Sequence, residues 1–435
     1  MRPALLALLL LAACSPGSPG TVDAHLAPDA AAPADAYADA PTPADASPFD
    51  APPGPPTFCE TQWPLASTAA VGHPSERLYV QLRVDGVTPS AGGDPALHVE
   101  VGHGLAAAPP SSWTWEGAEW NPDCLSCGDR EEWMGTVTPT AAGDYLWAAR
   151  VAYGASAWVL CDRADGGRLG STDGFAAADA PTLTASAPGP LRVVTQNLRC
   201  LVDSWDARLP VMADGIAAAD PELLGVEEAC AGGGRDNLTE LTAALHDRTG
   251  RDYQIVRTVT HASWSGAYEE GVAVVTPYRV AASQIVALPT GLFPRADVIT
   301  RVITPQGPIV FAATHLDNLS ADARVAEADT LLPALTAFVL PGEGVVQVGD
   351  FNEAPSDPVH GLFTAAGFVD SWAALHPGED GFTFPSSAPT IRIDYVWLLA
   401  GDSGFAPGAI ARILTDPVGG VYGSDHAGLS AVLSR

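Results

Sequence analysis

The chain has 435 residues, and its 51 acidic and 21 basic residues give a formal net charge of −30 at neutral pH. Lysine is absent, and the negative balance argues against a protein that binds polyanions by bulk attraction. Hydrophobic residues make up 47% of the chain, which excludes global disorder, and no apolar run reaches the roughly 20 residues of a membrane-spanning helix. The length predicts two globular domains with tethers.

The amino terminus has the pattern of an export signal. Arg2 precedes a short apolar run, and the next residues, Leu11-Ala12-Ala13-Cys14, resemble the lipobox of bacterial lipoproteins. This resemblance implies that residues 1–13 are removed and that Cys14 is lipid-modified. We therefore expect an exported protein with a lipid anchor in the bacterial envelope, at the outer membrane or the cell surface. An ordinary leader with a chance cysteine is the alternative.

Residues 14–56 are a predicted tether. The segment is rich in Ala, Pro and Asp and has no arginine, so it cannot bury enough apolar surface to become ordered. Proline favours extended polyproline geometry, and the repeated aspartates repel one another. We expect this segment to hold the following domains away from the membrane.

Residues 57–187 have the pattern of an all-β sandwich. Alternating runs such as Leu78–Val84 are separated by Gly, Pro and Asp. Trp113 and Trp115 would share one face of a strand, either as a glycan-binding platform or, more commonly in such sandwiches, as part of the core. Through these tryptophans and Trp158-Val-Leu-Cys161, the region resembles the immunoglobulin-like or carbohydrate-binding-like modules of secreted bacterial enzymes.

In residues 190–435, short apolar segments typical of strands alternate with segments of helical periodicity. A Pro/Gly junction at residues 187–190 separates them from the β region. Asp236 is expected to cap a helix that Gly250 ends, and Ser320 is expected to cap another. The alternation predicts an α/β or α+β sandwich.

Six cysteines remain beside the one predicted to carry lipid, and an even number in an exported chain predicts disulfides. The domain boundary isolates two of them as one pair. The Cys-Leu-Ser-Cys motif is interpreted as a local disulfide rather than half a zinc site, because no second close-spaced Cys/His pair completes such a site. The expected pairs are Cys200–Cys230, Cys124–Cys127 and Cys59–Cys161.

Polar residues follow the apolar strands of the second domain, and they would gather at one rim if those strands lie side by side. Oxygen ligands with little thiolate suit Mg²⁺, or alternatively Mn²⁺ or Ca²⁺, and histidines can transfer protons near neutral pH. The mixture predicts metal-assisted hydrolysis of a phosphoester. The residues are Asn197, Glu228, His315, Asp350, Asn352, Asp394, Asp425 and His426.

At these residues the chain resembles the endonuclease/exonuclease/phosphatase superfamily, the fold of deoxyribonuclease I, AP endonucleases, neutral sphingomyelinases and inositol-polyphosphate phosphatases. The blocks run in family order from about Leu191 to the carboxyl terminus. The resemblance implies an α+β fold, a four-layer α/β/β/α sandwich, behind the amino-terminal all-β sandwich domain.

The resemblance also implies a set of metal-binding residues. Glu228 matches the main metal-ligand glutamate and Asn197 an asparagine near metal and phosphate, while Asp425 matches an acid that can serve a second metal position. Glu227 stands where the family usually has glutamine, and it would either bind metal or face solvent. Glu270 matches a supporting glutamate that orients a histidine.

The catalytic residues follow from the same resemblance. His426 matches the favoured general base, and Asp394 the aspartate that orients it. His315 matches a histidine that contacts phosphate and can protonate the leaving group. Asp350 and Asn352 match the Gly-Asp-x-Asn block that positions the attacking water and the phosphate.

The expected function is that of a divalent-metal-dependent phosphodiesterase or nuclease-like enzyme, acting as a monomer. A phosphomonoesterase or sphingomyelinase-like enzyme of the same fold is one alternative, and a glycan-binding surface lipoprotein with a silent phosphoesterase scaffold is another. Histidines and acids outside the blocks, including His261 and Glu327, are expected to serve only packing or solvation.

Overall fold

The computed structural model describes residues 54–90, 92–124, 127–163, 175–263 and 265–435. The predicted signal peptide, Cys14 and the tether up to residue 53 lie outside these residues. Residues 52–435 belong to one compact unit. No helix among the described residues is long and apolar enough to cross a membrane.

The first part of the described chain is a sandwich of two sheets. One sheet has the order β1-β3-β7-β6, and the other has the order β2-β10-β8-β4-β5 with β9 beside β8. Alternate residues such as Val80, Val99 and Val151 fill the space between the sheets, as the period of two in the sequence requires. The strands are Phe58–Trp63 (β1), Ala66–Ala70 (β2), Leu78–Arg83 (β3), Leu97–Gly104 (β4), Thr114–Gly117 (β5), Glu119–Trp120 (β6), Glu131–Gly135 (β7), Gly143–Tyr153 (β8), Val159–Leu160 (β9) and Thr182–Ser186 (β10).

Trp113 and Trp115, the two tryptophans expected to share one strand face, differ in exposure. Trp113 precedes β5 and is buried, with its ring edge-on to Phe175. Trp115 lies on β5 and is half-buried, and its ring centroid is 6.0 Å from that of Trp113. Packing therefore accounts for Trp113, and Trp115 keeps part of its ring accessible.

The three predicted disulfides are confirmed. Cα–Cα distances are 4.8 Å for Cys59–Cys161, 5.9 Å for Cys124–Cys127 and 5.0 Å for Cys200–Cys230. The first two lie in the β module, and the third joins the segment after β11 to β12. Each bridge thus closes a loop within one of the two predicted domains.

The described residues after β10 contain thirteen strands and five α-helices. The strands are Leu191–Asn197 (β11), Leu223–Gly232 (β12), Arg235–Asp236 (β13), Gln254–Ala262 (β14), Glu269–Thr276 (β15), Arg279–Ala287 (β16), Ala296–Thr304 (β17), Gly307–His315 (β18), Val345–Asp350 (β19), Val369–Asp370 (β20), Asp394–Leu399 (β21), Ala406–Ile413 (β22) and Gly428–Ser434 (β23). The helices are Trp205–Ala219 (α1), Asn237–Thr249 (α2), Ala321–Phe338 (α3), Pro358–Ala365 (α4) and Ser371–Leu375 (α5). Two short 3₁₀ helices are Pro110–Ser112 and Gly401–Ser403.

These elements form the expected four-layer α/β/β/α sandwich. One sheet has the order β14-β15-β12-β11-β23-β22 with β13 beside β12, and the facing sheet has the order β16-β17-β18-β19-β21-β20. Val193 and Val274 of the first sheet meet Phe311 and Val348 of the second in a common core. Helices α1 and α2 cover the outside of the first sheet, and α3 and α4 cover the second. The predicted fold class is confirmed.

The helix boundaries follow the expected capping residues. The Asp236 carboxylate accepts hydrogen bonds from the second and third residues of α2, and Gly250 ends that helix at φ 69°. The Ser320 hydroxyl accepts from the Ala323 N–H at the start of α3. Each cap satisfies a backbone N–H group that the helix itself cannot pair.

The β module packs against the end of the second sheet that lies far from the strand ends carrying His315 and Asp350. Strand β2 contacts β17 and β18, and the Thr68 hydroxyl donates a 2.7 Å hydrogen bond to the Thr304 carbonyl at the β17–β18 turn. Glu76 forms an ion pair with Arg279 of β16. Because β18 runs from this turn to His315, the strand length separates the module from the rim that carries the polar blocks.

Candidate active site

Two parallel neighbouring strands, β11 and β12, bring the first acidic group together. Asn197 is the last residue of β11 and pairs with Glu227 of β12. A register irregularity between Val226 and Ala229 and a positive φ of 51° at Glu228 turn its side chain to the rim. The Asn197 amide donates to the Glu228 carboxylate at 3.1 Å and to the Asp350 carboxylate at 3.2 Å. Asn197 therefore links the two sheets at the rim.

The ends of β18 and β19 supply the second group. His315 and Asp350 are paired in parallel register, and 3.5 Å separates His315 Nε2 from Asp350 Oδ2. Gly349 makes this approach possible, because its φ is 146° and a Cβ there would lie 2.0 Å from the Thr314 carbonyl oxygen. Asn352 donates its backbone N–H to Asp350 at 2.9 Å.

His426, the last histidine of the chain, is hydrogen-bonded to Asp394. His426 Nδ1 lies 3.0 Å from Asp394 Oδ2, and His426 Nε2 lies 3.7 Å from Asp350 Oδ2. Burial alone would lower the pKa of His426, but the carboxylates of Asp394 and Asp350 raise it to about 10. The imidazole therefore has a high affinity for a proton, and its Nε2 side faces the rim.

A divalent cation fits the group formed by Glu228, Glu270 and His315. One ligand atom from each of these residues lies within 4.8 Å of the others. Burial, followed by repulsion from Glu270 and Asp425, raises the pKa of Glu228 to about 7, and burial also raises that of Glu270. Acids that repel one another in a buried rim form a site that a cation stabilises, and oxygen-rich donors suit Mg²⁺ or Mn²⁺.

Asp425 also interacts electrostatically with Glu228, and its carboxylate forms an ion pair with an arginine. Asp425 Oδ2 is 2.5 Å from Nη1 of Arg199, a residue that the sequence pattern did not single out. The Asn197 amide oxygen accepts the Arg199 backbone N–H at 2.8 Å. The amide nitrogen of Asn197, rather than its oxygen, faces the acidic group.

Glu227 and Glu327 occupy positions that differ from the sequence expectation. Glu227 is fully buried rather than facing solvent, and the Thr195 hydroxyl donates to it at 3.0 Å. Burial and the nearby Asp394 raise its pKa well above its usual value, which favours the neutral acid. Glu327, expected on a solvated helix face, is fully buried and accepts the Asp317 backbone N–H at 2.8 Å.

Sequence reasoning missed one histidine of the site, His261, and two arginines, Arg295 and the Arg199 described above. His261, expected to serve only packing, lies 3.5 Å from Glu270 and stacks on Phe293 at a centroid distance of 4.4 Å. Arg295 is 5% exposed, and its Nε has no hydrogen-bond partner in the described part of the chain. The pairing of His261 with Glu270 across β14 and β15 is the signal that could have revealed the histidine, but it requires the register of that hairpin.

These groups open into one cleft of about 310 Å³. Burial, followed by the charge of Arg295, holds the pKa of His315 well below its usual value, so this imidazole is neutral while His426 is cationic. The cleft therefore combines acids, two cationic side chains, Arg295 and His426, and neutral hydrogen-bonding groups. Its lining residues are Glu228, His261, Glu270, Phe293, Arg295, His315, Asn318, Asp350, Asn352, Phe384, Ile393, Asp425 and His426.

The family model described as "Endonuclease/Exonuclease/phosphatase family" matches residues 194–426, which is more than half of the chain. The chain belongs to this family. Every polar residue of the rim lies in the matched segment, from Asn197 to His426. As a member of the endonuclease/exonuclease/phosphatase family, the protein is assigned to the phosphoester hydrolases.

Solved structures of similar fold cover about the same part of the chain. An endonuclease/exonuclease/phosphatase family protein from Leptotrichia buccalis is 17% identical with a TM-score of 0.47, covering 55% of this chain and 98% of its own. Humanized D. rerio TDP2 is 18% identical with a TM-score of 0.46, covering 57% and 99%. A protein from Beutenbergia cavernae is 22% identical with a TM-score of 0.44, covering 56% and 71%. No curated protein sequence matches the chain.

Proposed function

We propose that the protein is a divalent-metal-dependent phosphodiesterase with nuclease-like chemistry. The observation that carries this proposal is the convergence of two clusters on one cleft: Glu228, Glu270 and His315 on one side, and Asp350, Asp394 and His426 on the other. The first cluster offers hard ligands for a cation, and the second offers a histidine oriented by an aspartate. This combination suits attack of water on a phosphoryl group.

Arg295 and His315 have side-chain N–H groups that can donate hydrogen bonds to the phosphoryl group. The Arg295 guanidinium lies in the cleft with an unpartnered Nε, and a guanidinium matches the geometry of phosphate oxygens. The neutral His315 can donate one ring N–H to a phosphoryl oxygen. Together with Arg295 it would hold the substrate near Asp350.

His426 is the residue that transfers the proton. Its Nε2 faces Asp350 across 3.7 Å, so a water between substrate and Asp350 lies within reach of both side chains. His426 acts as the base in its neutral form, whose Nε2 accepts the proton of the attacking water. Asp394 holds Nδ1 at 3.0 Å, which fixes the ring orientation and stabilises the imidazolium that forms. A cation bound at Glu228 and Glu270 would neutralise the negative charge that develops on the phosphoryl oxygens.

Hydrolysis of bis-p-nitrophenyl phosphate with added Mg²⁺, Mn²⁺ or Ca²⁺ tests the proposal. We expect release of nitrophenol that a chelator abolishes and that His426→Ala reduces by about 10²- to 10⁴-fold. His246→Ala is the matched control, since His246 is a half-exposed histidine on α2 outside the cleft. Activity unaffected by chelator and by His426→Ala would contradict the mechanism.

A panel of DNA, RNA, sphingomyelin and inositol phosphates separates the phosphodiesterase proposal from its alternatives. We expect turnover of a nucleic acid or another diester. Faster release of inorganic phosphate from a monoester would instead support a phosphomonoesterase, and preference for sphingomyelin would support a lipid phosphodiesterase.

We also propose that the protein is exported and anchored to the bacterial envelope through Cys14. Its support is the lipobox-like segment Leu11–Cys14 together with three disulfides, which persist in oxidising compartments. Labelling with radioactive palmitate in cells tests it: the wild type should incorporate label and Cys14→Ala should not. Equal labelling of both proteins would contradict the anchor.

A further inference from the structure

The ion pair between Arg199 and Asp425 places a fixed positive charge beside the cation group. Arg199 Nη1 lies 2.5 Å from Asp425 Oδ2, and its Nη2 forms a second ion pair with Asp203. Asp425 lines the catalytic cleft and its charge reaches Glu228, because it contributes to the raised pKa of that carboxyl group. The guanidinium is therefore held against Asp425, at the edge of the catalytic cleft.

This arginine is held in place from several directions. Its backbone has a positive φ of 54° and its N–H is bound by Asn197, while the adjacent Cys200 is tied to Cys230 by the disulfide. These restraints fix the backbone at Arg199, so its side chain projects from a rigid point.

Arg208 of α1 fixes both partners of the ion pair at once. It is 4% exposed, and its guanidinium donates to the carbonyls of Leu198 at 2.8 Å, Arg199 at 3.1 Å and Gly423 at 2.9 Å. Gly423 lies two residues before Asp425, so one side chain clamps the segment after β11 to the turn that carries Asp425. The ion pair is thus built into the fold rather than formed by two free side chains.

A second divalent cation at Asp425 would have to displace this guanidinium or lie against it, and like charges at such separations repel strongly in a partly buried site. We infer that Arg199 occupies the position of a second cation beside Asp425, so that the site binds a single divalent ion, at Glu228 and Glu270. The inference rests on the metal dependence of the proposed function, and it makes Arg199 a permanent positive charge beside the cleft.

The stoichiometry of Mn²⁺ binding to the full chain, followed by electron paramagnetic resonance of the free ion, tests this inference without turnover. We expect one ion per chain for the wild type and at least tenfold weaker binding for Glu228→Gln. Arg199→Gln should bind a second, weaker ion, whereas Arg199→Lys, which retains the charge, should bind one.

Two further variants locate the second ion. Arg199→Gln combined with Asp425→Asn should return to one ion, because the liberated carboxylate is then gone. Arg248→Gln is the matched control: Arg248 also pairs with an aspartate, Asp214, but lies on α2 outside the cleft, and this variant should bind one ion.

The outcomes separate this inference from the proposed function. Two ions bound by the wild type, or only one bound by folded Arg199→Gln at millimolar Mn²⁺, would overturn the inference and leave the phosphodiesterase proposal standing. No ion bound by the wild type would overturn both the inference and the metal dependence. If Arg199→Gln does not fold, Asp425→Asn decides: a loss of more than tenfold in Mn²⁺ affinity would make Asp425 a ligand of the single ion and overturn the inference.

Discussion

Two carboxylates set the proton affinity of His426, the proposed general base. Asp394 contacts Nδ1 of His426 directly, whereas Asp350 acts across 3.7 Å from Nε2. Burial opposes both effects, yet the pKa rises because two negative charges face one imidazole in a site with little water. The histidine is thus tuned by residues that lie more than thirty positions away in the chain.

Asp394→Asn should lower kcat by about 10²- to 10⁴-fold, because the amide no longer stabilises the imidazolium. Removal of this negative charge lowers the pKa of His426, so the rise of kcat with pH should move to lower pH. The pH profile of kcat on bis-p-nitrophenyl phosphate measures both effects. Asp416→Asn, at an exposed loop acid, is the control, and an unshifted profile in Asp394→Asn would contradict the assignment.

Arg295→Ala should reduce kcat/KM by about 10- to 100-fold, since a charge-assisted hydrogen bond to phosphate contributes about 1.5–3 kcal/mol. Arg295→Lys should recover part of the loss, because it restores the charge without the planar guanidinium. Steady-state kinetics on the same substrate measure this. Arg412→Ala, at an arginine that donates only to the Phe382 carbonyl, should be unaffected. An equal loss of kcat/KM in both alanine variants would show that Arg295 affects activity through the stability of the fold and not through substrate binding.

At the scale of the secondary-structure elements, polar side chains join strands that are not neighbours. Gln347 of β19 donates to Asp297 of β17 at 3.0 Å, over the intervening β18. Asp297 Oδ2 and Gln347 Oε1 are buried and have no hydrogen-bond partner among the described residues. Burial raises the pKa of Asp297 to about 8, so folding favours its protonated form.

The sign of the resulting pH effect follows from proton binding. Between about pH 4 and pH 8 the folded state holds a proton on Asp297 that the unfolded state has released, so stability decreases as pH rises through this window. Asp297→Asn should flatten the dependence by up to about 1.4 kcal/mol per pH unit. Urea unfolding at several pH values measures it, with Asp329→Asn on the exposed face of α3 as control. If the free energy of unfolding of Asp297→Asn depended on pH as strongly as that of the wild type, the assignment would be wrong.

The disulfide between the segment after β11 and β12 supports the rim that carries Asn197 and Glu228. Replacing Cys200 and Cys230 by serine should cost about 3–4 kcal/mol in the free energy of unfolding, because the bridge spans 30 residues. The matched serine pair at Cys124 and Cys127 should cost less, since that bridge spans only 3 residues. Chemical denaturation compares them, and an equal cost would show that loop length does not govern the effect.

At the scale of the whole molecule, the β module is attached at the end of the sandwich opposite to the cleft. Gly189 donates its N–H to the Gln306 side chain at 2.7 Å, which fixes the junction against the β17–β18 turn. No residue of the module lines the catalytic cleft among the described residues.

Glu76→Gln should lower the free energy of unfolding by about 1–2 kcal/mol, because it breaks the ion pair with the partly exposed Arg279. We expect kcat/KM to stay within about twofold, since the contact lies at the opposite end of β18 from His315. Urea denaturation and steady-state kinetics test both parts, with Glu119→Gln as an exposed-acid control. A loss of activity beyond tenfold would indicate coupling between the module and the cleft.

Local patterns were sufficient to predict the fold class, the disulfide pairs and the helix caps. Apolar strands that end in polar blocks, as at Asn197 and Asp350, indicate a rim because the ends of adjacent parallel strands meet at one edge. Caps such as Asp236 satisfy donors within three residues, so they are legible without tertiary information. The residue patterns therefore determined an α/β or α+β sandwich and the identity of most rim residues, and the family resemblance supplied the four-layer arrangement.

Only the tertiary structure decided which other side chains reach the cleft and which charges are buried. His261 and Arg295 arrive from a hairpin register and a loop of the facing sheet, and Arg199 meets Asp425 only because distant segments converge. Glu227 is fully buried, whereas Glu228, the next residue in the sequence, lines the cleft. Contacts between separate strands and the loss of water on burial set these partners and charges, and neither is encoded in local residue spacing.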